Sequence, residues 1–314
     1  MIALARLTFD GMTAREVIDD RRVPQGRRIG MGRLSRFLLA VAFTVAGGCK
    51  ALEAPENSAT PVTAQSATIT LTRLDCGSAL IKDFDAFFSD RPGLYPKGPR
   101  QITDSCYLIR HGDQQMIWDT GFAAGLKGQS KDLGPLVIHL DTTLAEQLAQ
   151  VGLKPADIDI VGISHMHSDH TGQAAEFPAA TLLIGKHDFE KSAGKDDPFG
   201  PWRGAGKSVT LLTTDQDVFG DGSVVALHLP GHTPDHLALL VNLKSGPVLL
   251  TGDLYHSAMA REKRGVPPFN TSREETLASM DRFEALAKKI GAKVIIQHEP
   301  ADIAKLPAFP KAAK

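Results

Sequence analysis

Three histidines and one aspartate fall within six residues of each other in the segment Ser164-His165-Met166-His167-Ser168-Asp169-His170. Imidazole and carboxylate groups are the usual ligands of zinc and of other borderline metals. His165 and His167 are two residues apart and point the same way on an extended loop, whereas Asp169 and His170 can turn toward a second point. One ion rarely uses four donors packed so tightly, but two ions about 3.5–4 Å apart would use them all. The spacing therefore favours a dinuclear metal site over a chance polar turn.

Other potential metal ligands follow three further predicted strands. His232, Asp253 and His298 each come just after a short apolar run, next to a glycine or a proline. A lone histidine in such a place is more often a structural residue, but three more strand ends beside a strong cluster favour a shared site. The carboxyl ends of strands are where α/β sheets place their chemistry. Asp119 ends another strand and fits either an anchor for a metal-bound histidine or a turn cap.

The elements that must position these residues are many short strands with few helices. Apolar and alternating runs predict strands, and a period of 3.6 predicts helices. The strands are predicted at residues 67–74, 106–110, 115–118, 158–163, 181–184, 209–212, 224–229, 237–243, 248–250 and 294–296, and the helices at 143–151 and 273–289. Asp141 or Thr142 is expected to cap the first helix. Residues 83–100 are expected to form an apolar loop, and residues 122–138 a glycine-rich flap.

Composition is that of an ordinary soluble globular chain with no nucleic-acid surface. The 314 residues are 42% hydrophobic and 23% charged, and the formal net charge is −1. Most of the basic excess lies in the first 50 residues, and the remainder is mildly acidic. The composition therefore argues against nucleic acid as a partner and suits a neutral or small-molecule substrate.

The N-terminal part of the chain has the pattern of an export signal. Arginines precede an apolar run over residues 37–46, which ends at Gly47-Gly48-Cys49. We predict an N-terminal extension and signal at residues 1–48, a linker at 49–66 and a metallo-hydrolase domain at 67–314. Cys49 is expected to be lipidated, which would give a periplasmic or membrane-anchored lipoprotein; an ordinary secretory signal and an uncleaved anchor are the alternatives. For Cys76 and Cys106 we expect two buried free thiols, with a disulfide as the alternative.

The order His-X-His-X-Asp-His, His, Asp, His resembles the metallo-β-lactamase superfamily. The likeness extends over nearly all of residues 67–305 and includes Asp119-Thr120-Gly121, Gly-His-Thr-Pro and Thr-Gly-Asp. The resemblance implies an α/β fold, a four-layer αββα sandwich with the site at one edge of the two sheets. It also implies how seven ligands would be shared between two divalent metal ions, zinc by default. One ion would take His165, His167 and His232, the other Asp169, His170 and His298, and Asp253 would bridge them.

Within the superfamily the chain looks most like the N-acyl homoserine lactonases. The segments Leu-Asp-Cys-Gly, Ser-Cys-Tyr-Leu-Ile-Arg-His-Gly and Gly-Asp-Leu-Tyr-His carry this resemblance. It implies opening of the lactone ring by a metal-bridging hydroxide, with Asp169 passing the proton to the leaving oxygen. The family places a tyrosine three residues after the bridging aspartate, where this chain has His256. Either His256 or the preceding Tyr255 is therefore expected to contact the substrate carbonyl.

An acyl lactone would also need an apolar trough beside the metal ions. The large apolar residues on loops expected near the site are Phe122, Met166, Phe199, Trp202 and Phe269, although ordinary loop packing is the favoured explanation for each of them taken singly. Two other functions remain open on sequence alone. One is a different hydrolase on the same scaffold, such as a β-lactamase, a thioesterase or a phosphotriesterase. The other is a non-catalytic metal-binding lipoprotein.

Overall fold

The computed structural model describes residues 68–314. The predicted signal at residues 1–48, the lipidation site Cys49 and the linker at 49–66 lie outside the described residues. Within the described part, no helix is long and apolar enough to cross a bilayer.

The described chain contains thirteen strands and seven α-helices. The strands are β1 (Ile69–Ile81), β2 (Arg100–His111), β3 (Gln114–Trp118), β4 (Gln129–Asp132), β5 (Leu136–Leu140), β6 (Ile160–Gly162), β7 (Thr181–Gly185), β8 (Val209–Leu212), β9 (Gln216–Asp217), β10 (Val224–His228), β11 (Leu237–Leu243), β12 (Gly246–Leu250) and β13 (Lys293–Ile295). The helices are α1 (Phe84–Phe88), α2 (Leu144–Gln150), α3 (Ser168–Thr171), α4 (Lys186–Lys191), α5 (Ala258–Lys263), α6 (Arg273–Ile290) and α7 (Pro300–Ile303).

The strands form two mixed sheets. An eight-stranded sheet has the order β4-β5-β1-β2-β3-β6-β7-β8, and a five-stranded sheet has the order β13-β12-β11-β10-β9. Pairing is parallel from β3 through β6 and β7 to β8, and again between β12 and β13. The carboxyl ends of β3 and β6 therefore meet at one edge of the first sheet, and those of β12 and β13 meet at one edge of the second.

Alternation along the central strands builds four layers. Tyr107 and Ile109 of β2 pack into the core between the two sheets, whereas Leu108 faces α2 on the outer side of the first sheet. On β11, Leu239 joins the core between the sheets and Leu240 joins the core beneath α6. Because successive side chains on a strand face opposite ways, these strands are apolar on both faces. The observed architecture is the expected four-layer αββα sandwich.

Several local expectations were wrong, and each error has a physical cause. The first strand was predicted to end at residue 74, but β1 continues through a β-bulge between Asp75 and Gly77 to Ile81. The predicted loop at 83–100 contains α1, and the predicted flap at 122–138 contains β4, which pairs with β5. Strand β5 pairs in turn with the distant strand β1, and local composition does not report this pairing, which joins the glycine-rich segment to the sheet. Helix α2 is capped by Thr143 in a capping box with Glu146, rather than by residue 141 or 142.

The two cysteines of the domain form a disulfide, so the expectation of free thiols was wrong. Cys76 lies in the bulge of β1, opposite the stretch of β2 that carries Cys106. The two Cα atoms are 5.7 Å apart, which is the usual separation for a disulfide. Pairing of β1 with β2 therefore brings together two cysteines whose spacing along the chain carries no such signal.

Candidate metal centre

All the donor residues expected from the sequence lie at the carboxyl ends of strands. His165, His167 and His170 follow β6, and α3 begins between the last two of them. His232 follows β10, Asp253 follows β12 and His298 follows β13. Two edges of two sheets thus supply one cluster, and all of its histidines except His167 are buried.

The first donor group consists of three histidine nitrogens that converge on one point. The Nδ1 atom of His167 lies 3.0 Å from Nε2 of His165 and 3.0 Å from Nε2 of His232. The two Nε2 atoms are 3.1 Å apart. Together with Asp253, these residues can offer four donor atoms to one ion. This is the set that the resemblance implies for one metal.

The second donor group consists of Asp169, His170 and His298. The carboxylate oxygens of Asp169 lie 3.9 Å from Nε2 of His170 and 4.0 Å from Nε2 of His298. Asp169 is the more open member, because 30% of its side chain is exposed. This group is the second set that the resemblance implies.

Asp253 stands between the two donor groups and turns one oxygen toward each. Its Oδ1 atom lies 2.9 Å from Nε2 of His298 and 3.2 Å from Nε2 of His170. Its Oδ2 atom lies 3.3 Å from Nε2 of His232 and 3.6 Å from Nε2 of His165. A carboxylate placed in this way can bridge two cations.

The outer nitrogens of three histidines are held by fixed partners. Nδ1 of His170 lies 3.0 Å from the Asp119 carboxylate, and Nδ1 of His298 lies 2.8 Å from the carbonyl oxygen of Thr103. Nδ1 of His232 lies 2.9 Å from the side-chain oxygen of Asn270. Because an acceptor faces each Nδ1, the proton sits there and the lone pair of Nε2 points into the cluster.

The arrangement fits metal ions better than it fits hydrogen bonding within the protein. Nε2 of His170 and Oδ1 of Asp253 are fully buried and make no hydrogen bond among the described residues. Nε2 lone pairs that face one another cannot satisfy each other, and buried polar atoms without partners are costly. Divalent cations would satisfy these imidazoles and carboxylates together.

The electrostatics of the cluster also suit cation binding. Burial, reinforced by the neighbouring His232, lowers the pKa of His167 to about 3, so this imidazole is neutral and free to coordinate. Burial opposes ionisation of Asp253, but His298, His170 and the other surrounding histidines hold the pKa of its carboxyl well below the usual range. Although burial opposes it, the charge of Asp253 in turn raises the pKa of His298 to about 9 and the pKa of His170 well above its usual range, so metal ions would displace a proton from each of these two imidazoles.

Sequence analysis did not predict most of the residues that support the metal ligands. Asp119 performs the anchoring role that was one of its two sequence interpretations, and its second oxygen accepts the backbone N–H of Ser164 at 2.7 Å. His236 was missed. Its Nε2 atom accepts the backbone N–H of Asp253 at 2.9 Å, while Nδ1 faces the carbonyl oxygen of Leu229 at 3.1 Å. Its position four residues after His232 was the only available signal. Asn270 offered no signal at all.

The structure separates the two candidates for the substrate contact. Nε2 of His256 lies 3.0 Å from Oδ2 of Asp253, so this residue faces the centre. Tyr255 points the other way into the core beneath α6, and its hydroxyl donates to Glu284 at 3.0 Å. The assignment of a substrate contact to Tyr255 is therefore wrong, because neighbouring residues in extended backbone face opposite sides.

Only some of the residues predicted to form an apolar trough lie near the metal centre. Phe199 and Trp202 belong to the core on the outer side of the first sheet and are 0% and 2% exposed, so they were wrong as trough residues. Phe122 packs into another core cluster, and Met166 is half-buried. Phe269 is 44% exposed, and its ring centroid lies 5.9 Å from that of His256.

Two aromatic residues beside the centre were not predicted as trough residues. Phe87 lies 5.6 Å from Phe269 between ring centroids, and Phe88 lies 4.5 Å from the ring of His256. Both belong to α1, the helix that sequence reasoning took for a loop. Phe87, Phe88 and Phe269 therefore form an aromatic wall beside His256.

Comparison with known proteins defines the class first. The family model for the metallo-beta-lactamase superfamily matches residues 102–298, which include every donor of both groups. Curated relatives identify the branch of this superfamily. The N-acyl homoserine lactonase AttM of Azorhizobium caulinodans is 31% identical over 229 residues, which cover 66% of this chain and 84% of AttM. A second AttM, from Rhizobium radiobacter, is 32% identical over 229 residues, which cover 65% of this chain and 85% of that protein. The chain belongs to the metallo-β-lactamase superfamily and, within it, to the branch of N-acyl homoserine lactonase-like proteins.

Solved structures agree on the fold. A variant of AiiA from B. thuringiensis with N-decanoyl-L-homoserine at its active site superimposes with a TM-score of 0.67 at 20% identity, covering 79% of this chain and 99% of AiiA. AidC, a dizinc quorum-quenching lactonase in complex with its product, superimposes with a TM-score of 0.58 at 16% identity, covering 79% of this chain and 90% of AidC.

Proposed function

We propose that this protein is a metal-dependent hydrolase that opens the lactone ring of N-acyl homoserine lactones. The observation that carries the proposal is the position of Asp253, with one oxygen toward each of two complete donor groups. The names of the AttM relatives, which are lactonases, supply the substrate class. The exposed Phe269 beside the centre suits a substrate with an acyl chain.

The proposal includes two divalent ions per chain, zinc by default. His165, His167 and His232 would hold one ion, Asp169, His170 and His298 the other, and Asp253 both. When bound, such ions supply Lewis acidity toward a carbonyl and make water easier to ionise near neutral pH. Iron, manganese or cobalt would accept the same ligands.

Two side chains of the protein have proposed parts in the reaction. Hydrolysis forms a bond from the water oxygen to the carbonyl carbon, breaks the bond from that carbon to the ring oxygen, and moves one proton to the ring oxygen. Asp169 is the partly exposed carboxylate of the second group, so it can take the proton from water and deliver it to the leaving oxygen. His256 lies at the rim of the first group, where its N–H can reach the carbonyl oxygen as negative charge develops.

A panel assay on one metal-loaded sample tests this function. Opening of an N-acyl homoserine lactone releases acid, which a pH indicator reports continuously. We expect turnover of lactones together with little or no turnover of a chromogenic β-lactam, a thioester or a phosphotriester. Turnover of one of those three substrates in the absence of lactone opening would identify a different hydrolase on the same scaffold. No turnover of any substrate by fully loaded protein would favour a metal-binding protein without catalysis.

We also propose export of the protein, with lipidation at Cys49. The support is the arginine and apolar pattern before Gly47-Gly48-Cys49, together with the disulfide between Cys76 and Cys106, which suits an oxidising compartment. Cells expressing the full chain should incorporate radiolabelled palmitate into the protein, and Cys49→Ser should abolish the incorporation. Equal labelling of both forms, or labelling of neither, would contradict lipidation at this residue.

A further inference from the structure

Ser164 comes directly before the first proposed metal ligand, and its side chain has no part in the proposed reaction. It follows β6 and is 0% exposed. Its hydroxyl oxygen lies 3.0 Å from Nδ1 of His165 and 3.2 Å from Nδ1 of His170. His165 belongs to the first donor group and His170 to the second. One buried hydroxyl group therefore contacts a proposed ligand of each ion.

The nitrogen that each histidine turns toward this hydroxyl is its outer nitrogen. Nε2 of His165 points into the first group, 3.1 Å from Nε2 of His232. Nε2 of His170 lies 3.2 Å from Oδ1 of Asp253, which stands between the two groups. An imidazole that binds a cation through Nε2 carries its proton on Nδ1. Both Nδ1 atoms are then donors, and a hydroxyl oxygen has two lone pairs with which to accept their hydrogens.

The two histidines depend on the Ser164 hydroxyl to different degrees. Nδ1 of His170 also lies 3.0 Å from the Asp119 carboxylate, which is the stronger acceptor because it is charged. Nδ1 of His165 has no other hydrogen-bond partner among residues 68–314, because the remaining contacts of this ring are made by Nε2. Without the hydroxyl, this buried N–H would be left unsatisfied whenever Nε2 binds a cation, and that state is costly.

The backbone of Ser164 holds the hydroxyl in a fixed position between the two sheets. Its N–H donates to the Asp119 carboxylate at 2.7 Å, and its carbonyl oxygen accepts the N–H of Leu237 at 2.8 Å. Leu237 begins β11 of the five-stranded sheet, whereas β6 belongs to the eight-stranded sheet. A residue fixed in this way can orient the side chains that surround a functional site.

We propose that Ser164 is a positioning residue shared by the two metal subsites. Its hydroxyl oxygen is the acceptor that sets the ring of His165, and it is a second acceptor, beside Asp119, for His170. The inference rests on the two ions of the proposed function and not on the lactone substrate. It gives the two subsites a common support that none of the seven proposed ligands provides.

Ser164→Ala should weaken the binding of both ions, but to different extents. Loss of the outer partner of a metal-bound histidine weakens metal binding by about 10- to 100-fold, and this is the loss expected for the first ion. The second ion should be weakened by only roughly two- to tenfold, the value of one neutral hydrogen bond, because Asp119 still holds His170. Competition of the metal-free full chain with a chelating dye for Zn²⁺ measures both affinities.

Ser105→Ala is the matched control for the loss of a buried hydroxyl. Ser105 is 2% exposed, and its hydroxyl contacts the Tyr107 hydroxyl and the carbonyl oxygen of Gln297, but no ligand nitrogen. The hydroxyl of Thr103 continues to donate to the same carbonyl oxygen in this variant. Ser105→Ala should therefore leave both zinc affinities close to those of the wild type.

Proton NMR of the zinc-loaded protein supplies a readout that a general loss of packing would not produce. A slowly exchanging Nδ1–H resonance is expected from each histidine that binds through Nε2 and has an acceptor behind it. Ser164→Ala should shift or broaden the resonance of His165. The resonances of His232 and His298 should stay in place, since their Nδ1 atoms have acceptors of their own.

An unchanged affinity for either ion in Ser164→Ala, or equal losses in Ser164→Ala and Ser105→Ala, would overturn the proposal. If Ser164→Ala does not fold, NMR of the zinc-loaded wild type decides, because rapid exchange of the His165 Nδ1–H with water would show that no acceptor lies behind it. A wild type that takes up fewer than two ions would overturn the proposed function as well. Two tightly bound ions in the wild type together with an unchanged Ser164→Ala would overturn this inference alone.

Discussion

Single hydrogen bonds on the outer side of the cluster decide which nitrogen of each histidine is free to bind metal. Asp119 faces Nδ1 of His170, which leaves Nε2 as the inward lone pair. An amide in the place of this carboxylate would keep the size but could donate through its nitrogen, which would favour the opposite tautomer. The histidine and the residue behind it therefore act as one unit.

Asp119→Asn should lower the affinity for the second ion by roughly 10- to 100-fold and leave the first ion bound. Metal content after dialysis, together with competition against a chelating dye, measures both affinities. Asp159→Asn is the matched control, because the Asp159 carboxylate lies on the surface and, among the described residues, accepts only the backbone N–H of Gln115, at 2.7 Å. A wild-type second-ion affinity in Asp119→Asn would contradict the anchoring role.

His256 and Tyr255 are neighbours in sequence, but only His256 faces the metal centre. His256→Phe should lower kcat/KM for an acyl lactone by roughly 100-fold, because it removes a donor aimed at developing charge. His256→Tyr keeps a donor and should retain most of the activity. Tyr255→Phe should leave kcat/KM nearly unchanged and cost about 1 kcal/mol of unfolding free energy, since its hydroxyl bonds Glu284. A larger kinetic loss in Tyr255→Phe than in His256→Phe would reverse the assignment.

At the scale of elements, the turn between β10 and β11 packs against the start of α6 and so positions the proposed metal ligand His232. Gly231 has φ of +131°, and its carbonyl oxygen accepts the backbone N–H of Ser272, the N-cap of α6. A Cβ atom at Gly231 would lie 2.2 Å from the backbone nitrogen of Thr276. The start of α6 and the position of His232 are therefore set by one close backbone approach, which only glycine permits.

Gly231→Ala should destabilise the fold by roughly 3 kcal/mol and weaken the first metal site, since both the backbone conformation and the packing are violated. Urea unfolding and metal content are the measurements. Gly291→Ala is the control, because Gly291 also has positive φ but has open space around it, and about 1 kcal/mol is expected there. Equal effects of the two substitutions would show that the contact with α6 is unimportant.

The disulfide between Cys76 and Cys106 also holds two elements together, strands β1 and β2. Gly121, in the turn that follows Asp119, packs so closely on Cys76 that a Cβ atom there would lie 2.4 Å from the Cys76 Cβ atom. The double variant Cys76→Ser, Cys106→Ser should lose about 3 kcal/mol of unfolding free energy, because the bond closes a loop with a sequence separation of 30 residues. Denaturant unfolding of the oxidised wild type and of the variant measures this loss. Identical midpoints would contradict a stabilising disulfide.

The features that could be predicted from the sequence are those that depend on local properties of the chain. The strands with apolar faces, helix α6 and the seven donor residues could all be predicted, because burial period and ligand chemistry are local properties. Helix α1 and strand β4 could not be predicted, because tertiary contacts form them from segments with no clear period. The disulfide, the buried orientation of Tyr255 and the acceptor role of Asn270 depend on which strands and loops become neighbours.

At the scale of the whole molecule, the two sheets meet at the cluster, so metal binding should hold them together. Donors from β6 belong to the first sheet, and donors from β10, β12 and β13 belong to the second. Removal of the ions leaves buried lone pairs and a buried carboxylate facing one another. The stability of the domain should therefore depend on metal.

Chelation should lower the free energy of unfolding by about 8 kcal/mol, that is about 4 kcal/mol for each of the two proposed ions when it is present at roughly 1,000 times its dissociation constant. Calorimetry with and without a strong chelator measures the loss, and added Zn²⁺ should restore the original transition. A melting temperature that does not respond to the chelator, in a sample confirmed to be metal-free, would contradict the bridging arrangement.

Titration of the metal-free protein with Zn²⁺, followed by the rate of N-acyl homoserine lactone opening, tests the central claim most directly. Two donor groups that share Asp253 predict a rate that rises with added ion and reaches its maximum at two equivalents per chain. A maximal rate at zero or one equivalent, or no lactone opening at any loading, would contradict a dinuclear lactonase.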